Sequence, residues 1–93
     1  MSKLRPGLEW FAKRMEEELK KNDYKKGWKD CSIYYLLDKA RENLNMLGFM
    51  NLTPSSLTES GKKLIIKCCA DCANFCMMIA DNLRNLIEGE DEN

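Results

Sequence analysis

Residues able to do chemistry concentrate in one stretch, 64–80. Every residue there is apolar except Lys67, Asp71 and Asn74, spaced i, i+4 and i+7, so the three share one narrow face of a helix. A carboxylate among apolar neighbours is costly unless it has a cation, a metal or water beside it. Two readings stand side by side. Lys67 neutralises Asp71 in a satisfied buried pair, or the stripe lines a pocket that takes a metal or a nucleotide. The same stretch holds Cys68, Cys69, Cys72 and Cys76, while the chain has no histidine. Free cysteine packs as a small hydrophobe, which makes core packing the plainer reading of this cluster. A soft-metal site from Cys68, Cys72 and Asp71 has no histidine to complete it, and single-helix spacing is not that of a zinc ribbon. Redox sensing is the third option.

A second group of interest is basic and aromatic. Lys20, Lys21, Lys25, Lys26 and Lys29 surround Trp28. Such a cluster usually makes a solvated face. Near a cleft, Lys25 could attract phosphates and Trp28 could stack on a base, so the candidate pocket is Lys67, Asn74, Trp28 and Lys25.

Three helices must position these groups, and no segment alternates like a strand. The first spans about residues 6–22, with Pro6 suited to a first helical turn. Leu8, Phe11, Met15 and Leu19 recur along it at helical spacing. Asn22, Asp23 and Gly27 then break the pattern. The second helix starts at an N-cap of Ser32 or Asp30, buries Ile33, Leu36, Leu37, Ala40, Leu44 and Leu47, and ends with Gly48 as its C′ residue. After a loop with a helical turn near Pro54, the third helix runs from about residue 60 to 88. Its middle is apolar nearly all round, as in a helix inside a bundle. Two neighbours cannot cover such a helix, so the spacing predicts a dimer through Phe75, Met78 and Ile79.

Composition narrows the class further. Ninety-three residues make one domain, residues 1–93, with 1–5 and 89–93 as disordered tails. A chain 44% hydrophobic and 32% charged is globular. Zero net charge argues against nucleic acid as the main partner. Stretch 64–80 is shorter than the roughly 20 residues a membrane span prefers, and its polar stripe interrupts it. With no apolar leader, the five cysteines read as reduced thiols in a cytoplasmic protein.

The run Lys67-Cys68-Cys69-Ala70-Asp71-Cys72-Ala73-Asn74-Phe75-Cys76-Met77-Met78-Ile79-Ala80-Asp81-Asn82 resembles a helix of small phage and bacterial MazG-like proteins. That helix reads Glu-Ala-Ala-Asp-Val-Ala-Asn-Phe-Ala-Met-Met-Ile-Ala-Asp. Lys25-Lys26-Gly27-Trp28, Cys31-Ser32 and Tyr35-Leu36-Leu37 are similar to the same group, and the likeness covers about residues 10–86. It implies a helical bundle of MazG-like type, three main helices per chain, completed by a dimer.

Members of that family hydrolyse nucleoside triphosphates to monophosphate and pyrophosphate with Mg²⁺. The metal is held by Glu-Glu-x-x-Glu on one helix and Glu-x-x-Asp on the next. Oxygen-rich clusters of this kind suit a hard cation that bridges phosphates. Of the five carboxylates only Glu42 and Asp71 remain, as a remnant metal site. Asn43, Met46 and Cys68 stand at the other three positions, and thioether and thiol favour softer metals. The resemblance therefore implies the fold without the catalysis. The expectation is a catalytically inactive MazG-like protein, of the kind phages encode, binding a nucleotide or a host protein. No catalytic residue and no cofactor are expected. A weak Mg²⁺-dependent pyrophosphohydrolase using Glu42 and Asp71 is the first alternative, and a structural oligomerisation module the second.

Overall fold

The computed structural model describes residues 3–22 and 26–92, and of residues 88–92 only the helical backbone. Three helices make the chain: α1 over Pro6–Lys20, α2 over Ile33–Phe49 and α3 over Glu59–Glu92, with a short 3₁₀ turn at Pro54–Ser56. Strand is absent among the described residues, as the sequence pattern requires. Of the tails expected at 1–5 and 89–93, Met1, Ser2 and Asn93 lie outside the described residues.

α1 opens with Pro6 in its first turn, where a missing N–H costs nothing. Phe11, Met15 and Leu19 are half-buried, but no residue of α1 is fully buried, and Leu8 is exposed. α2 starts as expected at Ser32, whose hydroxyl accepts the Tyr34 N–H at 3.1 Å. Leu36 and Ala40 are its buried residues. Leu44, expected in the same stripe, is 60% exposed, while Leu47 one turn further on is half-buried. Gly48 does not terminate α2. The helix runs on to Phe49, and the Met50 N–H closes on the Leu47 carbonyl at 3.1 Å. That bond satisfies a terminal carbonyl without a left-handed residue, and no glycine among the described residues has a positive φ.

α3 begins where Thr58 caps it, its hydroxyl accepting the Gly61 N–H at 3.0 Å. Thirty-four residues at 1.5 Å each make a rod of about 51 Å, close to the 54 Å long dimension of the molecule. α2 and α1 each pack on this rod, and among the described residues they do not pack on one another. Leu36, Ala40, Cys68, Ala70 and Asn74 are the buried residues of a small core. Burial of Leu36 contributes about 1.5–3 kcal/mol. The radius of gyration is 15.6 Å, against roughly 12 Å for a compact domain of this length. α3 is the central helix of the chain, yet two neighbours leave part of its apolar middle uncovered, with Leu64, Cys76 and Ala80 exposed. No helix among the described residues is long and apolar enough to cross a membrane.

Candidate functional site

The polar stripe of α3 faces α1. Lys67 Nζ lies 2.8 Å from Asp71 Oδ2, as the i, i+4 spacing predicts, and 3.3 Å from Glu18 Oε1 across the helix interface. Glu18 also takes Lys21 Nζ at 2.8 Å. Charges thus alternate along Lys21, Glu18, Lys67 and Asp71. Burial acts to raise the Glu18 carboxyl, but the hydrogen bonds from Lys21 and Lys67 together hold it below the usual range. The Asp71 hydrogen bond, partly opposed by burial, raises the Lys67 ammonium.

This is not the buried pair offered as one reading. The Lys67 side chain is 47% exposed and that of Asp71 25%, because the stripe runs along the rim of the helix contact. The buried member is Asn74, 4% exposed. Its side-chain amide donates to the Met15 carbonyl of α1 at 3.0 Å, while its Oδ1 has no partner among the described residues. Asn74 ties α1 to α3.

Beside the stripe, α1 and α3 enclose an open cleft of about 600 Å³. Trp10, Arg14 and Glu18 line it from α1, and Lys63, Leu64 and Lys67 from α3. The Arg14 guanidinium sits 5.5 Å from the Trp10 ring centre, within cation–π range, and its Nε lies 2.8 Å from Glu17.

Trp28 belongs elsewhere. Its indole N–H donates to Asp81 Oδ2 at 3.0 Å, and its carbonyl accepts from the Asn82 amide at 3.0 Å. Hydrogen bonds from Arg84 and then from Trp28 keep the Asp81 carboxyl below its ordinary range. Trp28 thus anchors the connection to α3. It also lines a separate cleft of about 450 Å³ with Leu36, Tyr35, Phe75 and Met78. Phe75 and Met78 point into this cleft half-buried, while Ile79 is half-buried outside it. The candidate pocket is therefore split, with Lys67 and Trp28 in different clefts, Asn74 between α1 and α3, and Lys25 outside the described residues.

Of the positions expected as a remnant metal site, Glu42 is exposed and lies 3.2 Å from Lys39 on its own helix. The hydrogen bond it donates to Glu42 raises the Lys39 ammonium. Asn43 donates to the Lys39 carbonyl at 3.0 Å, and Met46 is 50% exposed. Cys68 is 3% exposed, and burial, followed by the Asp71 charge, pushes its thiol up. Two carboxylates already paired with lysine, an amide, a thioether and a protonated thiol do not suit Mg²⁺. No group of three or more metal-binding side chains comes together among the described residues. The other cysteines grade outward, with Cys69 and Cys72 half-buried and Cys76 exposed. Cys72 donates to the Ala40 carbonyl at 3.5 Å, the behaviour of a packing residue, and burial raises it too.

Glu18, Asp81 and Asn82 carry roles that the sequence reading left unassigned. A signal for Glu18 exists, since it follows Phe11 and Met15 at i+7 and i+3 and so falls on the apolar face of α1. No family model matches the chain, and neither a curated protein nor a solved structure matches it.

Proposed function

We propose that this chain is a catalytically inactive MazG-like protein, assembled as a dimer, that acts as a binding module for a nucleotide or a protein. The observation that carries the reading is that both remaining motif carboxylates are spent on lysines, Glu42 on Lys39 at 3.2 Å and Asp71 on Lys67 at 2.8 Å. Each cation cancels charge that a metal would need. Support for a binding role comes from the α1–α3 cleft, where an indole, the guanidinium beside it and the Lys63 ammonium group border apolar walls. Aromatic faces and cations together suit a base and its phosphates.

A thermal-shift panel of nucleotides, with and without Mg²⁺ or Mn²⁺, beside an assay for released pyrophosphate, tests this. Binding at a hundredfold excess over the dissociation constant adds about 2.7 kcal/mol of stability. A shift without release is the expected result for a nucleotide binder, and no shift at all assigns the module to a protein partner. Release at about 1 s⁻¹ or faster would establish the alternative, an Mg²⁺-dependent pyrophosphohydrolase, and overturn the reading.

A further inference from the structure

One face of α3 is covered by neither neighbour. Cys69, Ala73, Cys76, Ala80, Leu83 and Ile87 recur at alternating spacings of four and three, the 3.5-residue repeat of a coiled-coil seam. Cys69 and Ala73 are half-buried, and from there the face opens. Cys76 and Ala80 are exposed, Leu83 is 46% and Ile87 63% exposed. The α1 contact at Asn74 lies on the far side, roughly 160° round the helix from Cys76. α2 lies alongside, where Cys72 meets the Ala40 carbonyl.

We infer that this face pairs with the same face of a second copy, the two α3 helices antiparallel about a two-fold axis near residue 78. A 3.5-residue apolar repeat calls for another helix as its occupant. The repeat also maps onto itself about residue 78, which sets Cys69 against Ile87, Ala73 against Leu83 and Cys76 against Ala80. Each large side chain then meets a small one, and the two central pairs let the helices approach closely. A parallel pair would stack Leu83 on Leu83 and Ile87 on Ile87 and leave gaps upstream.

Charge agrees with this choice. Lys62 and Lys63 lie in the first turns of α3, and the sequence of its last turns, 88–92, is acidic. Antiparallel pairing about residue 78 sets residues 64–68 opposite 88–92 of the other copy, so the basic first turns of one helix approach the acidic last turns of the other, whereas parallel pairing sets like against like. Between Cys69 and Ile87 the six seam positions carry no charge, so the face is complementary to itself under a two-fold. The seam continues the α2–α3 contact, so pairing produces a four-helix layer from two elongated chains. It rests on the dimeric reading above and moves the interface from Phe75 and Met78 to the opposite side of α3, keeping Ile79 at its border.

Sedimentation velocity on the full chain tests the pairing. The unaltered protein should be a dimer at micromolar concentration. Leu83→Glu should raise the dissociation constant at least roughly thirtyfold, as for loss of a central anchor, with unchanged helical circular dichroism. Phe49→Glu, a change at a fully solvated site on α2, should leave the dimer intact. Orientation is read by cross-linking in chains carrying Cys69→Ala, Cys72→Ala and Cys76→Ala. Diamide takes two electrons and two protons from a pair of thiols, leaving a disulfide. A mixture of Ala73→Cys and Leu83→Cys chains should then give a mixed disulfide dimer, and neither alone should cross-link. A monomeric wild type overturns both the dimer and this seam. A dimer that survives Leu83→Glu, or self-cross-linking of each variant alone, overturns the antiparallel seam while the dimer stands.

Discussion

Where α2 meets α3, the contact is closed by Leu36, Ala40 and Cys68, all buried. Where α1 meets the same rod, no residue of α1 is fully buried. Half-buried Phe11, Met15 and Leu19 supply its apolar part, and polar atoms bridge the rest, the Asn74 amide on the Met15 carbonyl and Lys67 on Glu18. Both contacts use one helix and the same solvent. Their difference lies in what excludes water. Apolar closure is cooperative and expensive to open, whereas a polar contact at a rim opens locally at small cost. On this difference α1 should open before α2, with the α1–α3 cleft the part that adapts.

Replacing the residue that closes the first contact should give the largest effect. Leu36→Ala should cost about 2–5 kcal/mol, a large share of the 5–15 kcal/mol that holds a small domain together. Each kcal/mol should lower the melting temperature by roughly 4–8 °C. A melt unchanged within one such step would mean that the α2 contact is not the core.

Asn74→Ala should be milder, about 1 kcal/mol for one hydrogen bond whose acceptor also has a helical partner. The regional signature matters more than the size. Amide exchange in α1 should accelerate while α2 keeps its protection. Equal acceleration in both helices would show one cooperative unit and break the contrast.

The smallest effect is that of pH. Glu18 has a folded pKa below its unfolded one, so the stability it contributes is present above the ordinary carboxylate range. It is lost as pH falls through that range toward the lower folded value. Protection of α1 should therefore decline on acidification before that of α2. Glu18→Gln should flatten this dependence, and an identical acid response in the variant would assign the effect to other groups.

Much of this was legible in the residues. Periodicity fixed three helices, Ser32 announced the start of α2, and Pro54 marked the short turn. Periodicity reports which face of a helix is apolar, however, and not which neighbour covers it. Leu44 sits on the apolar stripe of α2 yet is 60% exposed, and Gly48 stays helical because a single backbone bond closes the terminus. The Lys67–Asp71 bond was readable from its spacing. Its partial exposure was not, since that depends on how α1 crosses the rod. The Lys67 link to Glu18 and the Trp28 links to Asp81 and Asn82 join residues far apart in the chain, which no local pattern records. The resemblance to MazG-like proteins raised the expectation of five metal positions. Side-chain pairing then showed how Glu42 and Asp71 are already occupied by lysines.

Trp28, described above as an anchor, has an optical consequence. The chain has two tryptophans, and they belong to different contacts. Trp10 stands under the Arg14 cation at the α1 cleft, while the Trp28 indole is hydrogen-bonded to a carboxylate on α3. Charges placed on opposite sides of an indole move its emission in different directions and quench it to different extents. With Trp10→Phe or Trp28→Phe, the fluorescence of the remaining indole reports on one contact alone, so the two halves of the molecule can be watched separately without an added label.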